Sequence, residues 1–281
     1  MLAQLGDLRI GDAQAVRVAG VLNVSPESFH PGSVSGDAGA LATRAQQMEA
    51  EGADLLDIGA MSTAPYRQGH ISEEEERERM EWAVRAAVRA VRLPISADTQ
   101  RASVAAVALA EGARVINDVS GFRADARMAE VAAAGEGVIL MANETGPSGE
   151  EPLALCRRLL GESLERSDRA GIPRERVVLD PGVGFFRRAN LPWDRFDLEL
   201  LRRLHELRAL GRPILVGVSR KSFVGKLTGR TDTNERLAGS LAATAIAVYN
   251  GAHMIRTHDV AETRDAVLVA TAIKTRLGTE D

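Results

Sequence analysis

Three polar side chains, Arg220, Lys221 and Ser222, directly follow an apolar run in the segment GVSRKSFVG. A second apolar run ends in RTHD, which supplies Arg256 and His258. Cations beside a hydroxyl are typical of an anion site, because Lys and Arg donate charge-assisted hydrogen bonds to phosphate oxygens. The pattern predicts a phosphate-binding cluster that includes Lys221 and Arg256. For Arg220, an ion pair with a nearby carboxylate is an open alternative.

Carboxylate and amide side chains close three other apolar runs: Asp98 ends PISAD, Asn117 lies in RVIND, and Asp180 ends RVVLD. The two oxygens of a carboxylate match the paired N–H groups of a nitrogen-rich heterocycle, and an amide can donate to and accept from the same ring. These residues therefore predict a site for a polar heterocycle. For Asp98, capping of the helix that follows it is an open alternative.

The segment LDPGVGFF, which contains Asp180, combines glycines with two aromatic residues. Glycine lets the backbone approach a ligand closely, and Phe185 and Phe186 offer flat apolar walls. The segment is therefore predicted to line the same site.

Asn23, at the end of GVLN, is the candidate metal ligand. An amide oxygen beside a diphosphate suits Mg2+, which takes one or two protein oxygens and completes its shell with phosphates and water. The five histidines show no metal-binding spacing and Cys156 is the only cysteine, so a site built wholly from protein ligands is not expected. No nucleophile elbow, P-loop or dinucleotide-binding glycine motif occurs in its required context.

The elements that must position these residues alternate along the chain. Eight apolar runs of strand length alternate with eight segments of helical spacing, which predicts parallel strands with helical crossovers and favours a closed (β/α)8 TIM barrel. The runs are VRVAGVL, LLDI, PISAD, RVIND, GVILMA, RVVLD, PILVGVS and HMIRT. The helical segments are 37–51, 72–92, 101–112, 124–135, 152–171, 195–210, 234–250 and one from 259 onward. We expect a single domain over residues 1–281.

A repeated joint places the polar residues on one face of this barrel. EGADLLD, EGARVIN and NGAHMIR each combine a helix-ending glycine, an alanine and an apolar strand. The fifth residue after each glycine is polar, namely Asp57, Asn117 or Arg256. With Asp98 and Asp180 they predict five polar side chains around the carboxyl-end rim, where such barrels carry out their chemistry. For Asp57, a ligand contact and a local hydrogen bond are both open.

The acidic run SEEEERERM has a structural interpretation. Ser72 is predicted to cap a helix whose acidic first turn suits the helix dipole and faces solvent.

Composition limits the partners that the protein can have. A net charge of −4 gives no basic surplus, so a nucleic-acid partner is not expected. The N-terminus has no signal-like pattern, and no long apolar run is free of charged residues. Contact with a membrane is therefore not expected. A single cysteine fits a reducing, cytoplasmic environment.

Six motifs in order resemble the dihydropteroate synthase family, over about residues 16–275. They are GVLNVSPESF, ADTQRASVAAVALAEGARVINDVSG, VVLDPGVGFF, ILVGVSRKSFVG, ERLAGSLAA and GAHMIRTHDV. The resemblance implies a transferase of folate biosynthesis that joins 6-hydroxymethyl-7,8-dihydropterin diphosphate to p-aminobenzoate, giving 7,8-dihydropteroate and diphosphate. It also implies a Mg2+ cofactor, a homodimer built on the later barrel helices, and a target of sulfonamides, which mimic the amine.

The resemblance also implies roles for individual residues. Asp98, Lys221 and Arg256 would be catalytic, and the pterin would contact Asp98, Asn117, Met141, Asp180 and Lys221. The diphosphate would contact Ser62, Thr63, Arg256 and His258, with Asn23 on the metal. The p-aminobenzoate would contact Thr63, Phe185, Lys221 and Ser222.

The two loops after the first strands depart from the family pattern. Where the family reads E-S-T-R-P-G, this chain reads MSTAPY from Met61 to Tyr66 and lacks the arginine. Two alternatives follow: Arg67 takes its place, or the loop closes without an arginine. The first loop contains His30 in NVSPESFHPGSV, and the fifth barrel strand ends in Ala142 and Asn143 where the family has a histidine.

Three other functions remain alternatives. A pterin-binding relative could use a different amine acceptor, or a barrel of this kind could transfer methyl groups from a reduced folate. A non-catalytic pterin-binding protein is the third. The SRKSF segment argues against the methyltransferase.

Overall fold

Eight parallel strands form the barrel, and they are preceded by a two-stranded antiparallel hairpin. The computed structural model describes residues 1–24, 38–61, 71–143, 146–187 and 191–277. The hairpin strands are β1 (Leu2–Leu5) and β2 (Leu8–Gly11). The barrel strands are β3 (Arg17–Asn23), β4 (Leu55–Gly59), β5 (Ile95–Asp98), β6 (Val115–Asp118), β7 (Gly137–Met141), β8 (Val177–Asp180), β9 (Leu215–Gly217) and β10 (Met254–Thr257).

Helices follow the barrel strands. They are α1 (Ala38–Ala50), α2 (Glu73–Ala90), α3 (Ala102–Ala110), α4 (Met128–Ala132), α5 (Pro152–Arg169), α6 (Trp193–Arg202), α7 (Ser222–Thr228), α8 (Leu237–Tyr249) and α9 (Val260–Leu277). Short 3-10 helices lie at Arg174–Arg176, Leu204–Leu210 and Thr233–Arg236. The predicted helix 195–210 is wrong as one element, because the backbone at Arg203 leaves the α region (φ −111°, ψ 20°). The short helix α7 was not predicted.

The strand order confirms the predicted barrel. The hydrogen-bonded sequence of strands runs β8, β7, β6, β5, β4, β3, β10 and β9. Parallel pairing of Leu179 with Ile214 joins β8 to the chain entering β9, and the Leu179 N–H donates to the Pro213 carbonyl at 3.0 Å. These two contacts close the sheet on itself, as the alternation of strands and helices requires.

The hairpin packs against the end of the barrel opposite the predicted site. A second apolar core joins hairpin residues such as Leu5 and Ile10 to inward-facing residues of the barrel strands, such as Leu55 and Val178. Ion pairs at the hairpin reinforce this contact, including Asp7 with Arg114 at 2.6 Å. This hairpin was not among the predicted strands, although the Gly-Asp pair between its two short strands is typical of a hairpin turn.

The three repeated joints have the predicted backbone. Gly52, Gly112 and Gly251 adopt φ values of +93°, +103° and +105°, a region that residues with a side chain rarely occupy. Each glycine ends a helix and turns the chain into β4, β6 or β10, which fixes the register of the polar residue five positions later.

The acidic helix α2 is only partly as predicted. The Ser72 hydroxyl accepts the Glu75 N–H at 3.1 Å, which confirms the cap. The solvent-facing interpretation is wrong for Glu76, which is buried and accepts hydrogen bonds from the Thr99 hydroxyl and Arg101 at 2.7 and 2.8 Å. Burial raises the pKa of Glu76, against the effect of these donors. Within the described residues, no helix has the length and apolar character needed to cross a bilayer.

Candidate active site

Four polar residues from four strands form a hydrogen-bonded network at the carboxyl end of the barrel. Arg256, from β10, donates through Nε to Asp57 at 2.5 Å and through Nη2 to Asp98 at 2.8 Å. Asn117 donates through Nδ2 to the same Asp57 oxygen at 3.0 Å. Because adjacent strands are in register, residues that end separate strands meet above the barrel core. The structure therefore shows a local hydrogen-bonding role for Asp57, while its contact with a ligand stays a prediction.

The capping alternative for Asp98 is not observed. The N-cap of α3 is Arg101, which makes no side-chain capping bond, and the first N–H of the helix donates to Asp125 at 2.9 Å. Asp98 is instead engaged by Arg256, and its Oδ1 atom is buried without a hydrogen-bond partner among the described residues. A buried acceptor without a donor is costly, so this oxygen could accept a hydrogen bond from a ligand, as could Oδ1 of Asp57, which is buried without a partner among the described residues in the same way.

The carboxylates of the network have unusual proton affinities. Burial raises the pKa of Asp98 to about 7, although the charge of Arg256 opposes the change. Burial also raises the pKa of Asp180 to about 6, with Lys221 and Arg256 opposing it. For Arg256, burial lowers the pKa but Asp57 and Asp98 outweigh it, so the pKa is raised and the guanidinium keeps its charge.

Asp180 and Lys221 lie on either side of a glycine-rich turn. The Asp180 carboxylate accepts the Gly182 N–H at 2.8 Å, which fixes the start of the turn. Gly184 has φ +88°, and a Cβ placed there would lie 2.9 Å from Cδ of Lys221, so a side chain at this position would be strained and would displace the lysine. The Lys221 Nζ atom lies 4.4 Å from the centroid of the Phe185 ring. Burial lowers the pKa of Lys221 to about 8, against the pull of Asp180.

The two phenylalanines of the turn have different positions. Phe185 is partly exposed, as a wall of the site requires. The prediction for Phe186 is wrong, because its ring is buried and stacks on Phe196 at a centroid distance of 4.3 Å. Asp197, which the sequence did not single out, accepts the Gly184 N–H at 2.7 Å. Burial raises the pKa of Asp197 to about 6, with Arg187 and Lys221 opposing it.

His258 and Arg220 lie beside the network with different partners. The Nδ1 atom of His258 is 3.0 Å from the Ser219 hydroxyl. Burial lowers the pKa of His258 to about 4, so the imidazole is neutral at pH 7. Arg220 pairs with Asp259 through Nε and Nη2 at 3.1 and 2.5 Å, which confirms the ion-pair alternative.

Ser222 has a partner that the sequence did not reveal. Its Oγ atom accepts a hydrogen bond from Nη2 of Arg187 at 2.6 Å. The guanidinium carbon of Arg187 lies 4.2 Å from the centroid of the Trp193 ring, a cation–π distance. Neither Arg187 nor Trp193 lies in one of the six motifs, and only the folded chain brings them together with Ser222.

The remaining predicted residues are placed as follows. Asn23 is exposed at the end of β3, and its Oδ1 lies 3.4 Å from the position of a Cβ on Gly59. Met141 is buried at the end of β7, where it pairs with Asp180. Within the described ranges, no group of three His, Cys, Asp or Glu side chains could hold a metal.

Several predicted residues lie outside the described residues. Ser62, Thr63, Arg67 and Tyr66 fall in the range 62–70, and His30 falls in the range 25–37. Both alternatives for the second loop, with Arg67 in place of the missing arginine or with no arginine, therefore stay predictions.

Comparison with known proteins gives this geometry a family. Residues 19–258 match the model of a family described as pterin binding enzyme. The dihydropteroate synthase of Synechocystis is 36% identical over 91% of this chain and 89% of its own length. That of Escherichia coli K12 is 35% identical over 93% of both chains. The chain belongs to the dihydropteroate synthase family.

Solved structures of dihydropteroate synthases have the same fold. A Xanthomonas albilineans dihydropteroate synthase with 4-aminobenzoic acid superposes with a TM-score of 0.87 at 35% identity, covering 97% of this chain and 98% of its own. The enzyme from the same organism in complex with 7,8-dihydropteroate gives 0.85 at 34% identity, covering 98% and 99%. This chain therefore has the transferase activity of the dihydropteroate synthase family, in folate biosynthesis.

Proposed function

We propose that this protein condenses 6-hydroxymethyl-7,8-dihydropterin diphosphate with p-aminobenzoate to form 7,8-dihydropteroate and diphosphate. The observation that carries the proposal is the meeting of Asp98, Asp180, Lys221 and Arg256 at one rim, with a buried oxygen of Asp98 that has no donor among the described residues. Related synthases with 4-aminobenzoic acid and with 7,8-dihydropteroate support the same substrates.

The pterin ring is proposed to lie against Asp98, Asn117, Asp180 and Lys221, with Met141 packed near it. Asp98 can accept a hydrogen bond through Oδ1, and its other oxygen is already held by Arg256 at 2.8 Å. A carboxylate fixed in this way binds the paired N–H groups of a pterin without first being ordered. Asp98 is thus proposed to stabilise positive charge that develops on the ring.

The diphosphate is proposed to be bound by Arg256 and His258, together with Ser62 and Thr63 of the second loop. A guanidinium has five N–H donors, and the bonds to Asp57 and Asp98 use two of them. The others can bind phosphate oxygens. The His258 N–H donates to the Ser219 Oγ at 3.3 Å; when the hydroxyl in turn donates to Nδ1, the neutral imidazole carries its proton on Nε2 and can donate it to a phosphate oxygen.

The p-aminobenzoate is proposed to lie between Phe185, Lys221, Ser222 and Thr63. Phe185 offers a flat apolar surface beside the Lys221 ammonium, 4.4 Å away. The reaction then needs no nucleophilic side chain. The C–O bond of the pterin CH2 group breaks with both electrons leaving on diphosphate, and the amine nitrogen attacks the same carbon and releases one proton to solvent. The protein binds both partners in line and stabilises the separated charges.

Catalysis assisted by a divalent metal is compatible with this family, and we propose Mg2+ held by Asn23 and the diphosphate. The single amide oxygen at the strand end fits a metal that takes few protein ligands. When bound, the ion would neutralise charge on the leaving group.

We also propose a homodimer through α7, α8 and α9. Six large apolar side chains on these helices are between 48% and 60% exposed, and a second copy would cover them. They are Leu227, Ile246, Tyr249, Leu268, Val269 and Ile273. Sedimentation of the wild type and of Val269→Glu tests this proposal, and a monomeric wild type would contradict it. Residues 1–281 are proposed to form one domain in the cytoplasm.

The test of function is steady-state turnover of the purified protein with the pterin diphosphate and a series of aromatic amines. We expect diphosphate and dihydropteroate to form in equal amounts, and only when p-aminobenzoate is present. Preference for another amine would support an altered acceptor. Binding of pterin diphosphate without release of diphosphate would instead indicate a non-catalytic binding protein.

A further inference from the structure

An arginine–aromatic cluster beside Ser222 has no role in the function described above. Arg187 donates to the Ser222 hydroxyl at 2.6 Å, and its guanidinium carbon lies 4.2 Å from the Trp193 ring centroid. A second cation, Lys226, lies 5.2 Å from the same ring and forms an ion pair with Asp194 at 2.7 Å. We call Arg187, Ser222 and Trp193 the acceptor clamp.

The clamp is built on fixed elements. Phe186, next to Arg187, is buried and stacks on Phe196 of α6 with an interplanar angle of 20°. Trp193 begins α6 and packs against the apolar core. Because both neighbours are anchored to α6, the guanidinium is held between an aromatic face and a hydroxyl. Its orientation therefore does not depend on a free side-chain conformation.

The hydrogen bond sets which way the hydroxyl donates. A serine hydroxyl has one donor and two acceptor positions, and Arg187 occupies an acceptor position of Ser222. The O–H of Ser222 is then directed to another acceptor. A guanidinium, which keeps its charge at all relevant pH values, lies directly behind this O–H. Together they favour a negatively charged oxygen over a neutral one.

The clamp adjoins the proposed acceptor site. Ser222 follows Lys221 in sequence, and Lys221 Nζ lies 4.4 Å from the Phe185 ring centroid. Phe185 precedes Arg187 by two residues on the same turn. An aromatic amine that packs on Phe185 therefore lies beside the clamp, and its carboxylate end is proposed to face Ser222.

We propose that Arg187 is a specificity-determining positioning residue, which acts through Ser222 and selects aromatic amines that carry a carboxylate. This inference rests on the proposed function and names the feature of the acceptor that the site recognises. Trp193 keeps the guanidinium in place, and Arg187 itself takes no part in the bond changes.

The experiment compares Arg187→Gln with the wild type, using p-aminobenzoate and its uncharged analogue 4-aminobenzamide. Loss of a charge-assisted hydrogen bond predicts a KM for p-aminobenzoate that is about 10-fold to 100-fold higher. The KM for the pterin diphosphate and the weaker use of the amide are expected to stay unchanged. Trp193→Leu, which leaves the cation but removes its support, should shift the acid-to-amide preference in the same direction by less.

Arg195→Gln removes an exposed arginine from α6, the helix that begins with Trp193, and is the matched control, for which no change is expected. An unchanged KM for p-aminobenzoate in Arg187→Gln would overturn the inference, as would an equal loss with acid and amide. Failure of the proposed function is distinguishable, because the wild type itself would then not turn over p-aminobenzoate.

Discussion

Arg256 and Asp57 are 199 residues apart in sequence, and an N–H···O hydrogen bond of 2.5 Å joins them across the mouth of the barrel. The carboxylate is 1% exposed and the arginine 23%. The same Asp57 oxygen also accepts from Asn117, so one carboxylate contacts a cation of the proposed diphosphate site and an amide of the proposed pterin site. We therefore expect Asp57 to act as a positioning residue for Arg256 and Asn117.

Replacement of Asp57 by alanine should destabilise the protein and impair substrate binding. Removing one member of a buried ion pair leaves a charge without compensation, which predicts a loss of about 3 kcal/mol in the free energy of unfolding. Urea unfolding measures it. Asp57→Asn keeps an oxygen acceptor and should lose less. Glu130→Ala, exposed on α4, is the control. Equal stability of Asp57→Ala and the control would contradict this role.

The pH dependence of kcat/KM for the pterin diphosphate should be bell-shaped. Asp98, with a pKa raised to about 7, binds the pterin as a carboxylate, so activity rises as the pH increases through this value. Lys221, with a pKa lowered to about 8, acts as an ammonium, so activity falls as the pH rises further. In Asp98→Asn the acidic limb of the residual activity should move down toward the pKa of Asp180, about 6. A profile that is flat between pH 6 and 9 would contradict these assignments.

Gly184 should not tolerate a side chain. Alanine at φ +88° is strained, and its Cβ would meet the Lys221 side chain at 2.9 Å. We expect Gly184→Ala to lower kcat/KM by at least about tenfold, because the lysine must move. The control is Gly161→Ala in α5, where a Cβ meets nothing within 4 Å. That change should raise the unfolding free energy by up to about 1 kcal/mol and leave turnover unaltered.

The hairpin at the opposite end of the barrel should affect stability and leave substrate binding unchanged. Leu5 is fully buried in the second core, so Leu5→Ala creates a cavity and should cost about 2 to 5 kcal/mol. Thermal and urea unfolding measure this cost. Leu2→Ala, at a position 53% exposed, should cost far less. A raised KM for the pterin diphosphate in Leu5→Ala would contradict this prediction, because it would show that the hairpin affects substrate binding.

Much of the fold could be predicted because the sequence carries it locally. The eight barrel strands were predictable from the apolar runs and the helical spacing between them. The rim on which Asp98 and Asp180 lie was predictable from the glycines at residues 52, 112 and 251. The initial hairpin was missed, because two strands of four residues carry too few alternations to stand out. The helix α7, with seven residues, is also too short for a periodic signal.

The contacts within the site were less predictable, because partners depend on register and on side-chain direction. Sequence alone left Asp57 and Arg220 each with two alternatives, and only the structure shows Arg256 and Asp259 as their partners. Phe186 was predicted to line the site together with Phe185. Its ring is instead buried against Phe196, an aromatic partner ten residues further along the chain.

Turnover of Lys221→Ala tests the central claim most directly, with Lys226→Ala of the nearby helix as the matched control. We expect the wild type and Lys226→Ala to form dihydropteroate and diphosphate in equal amounts from pterin diphosphate and p-aminobenzoate. Lys221→Ala, although folded, should form neither above background. Near-wild-type formation of dihydropteroate by Lys221→Ala would contradict the account.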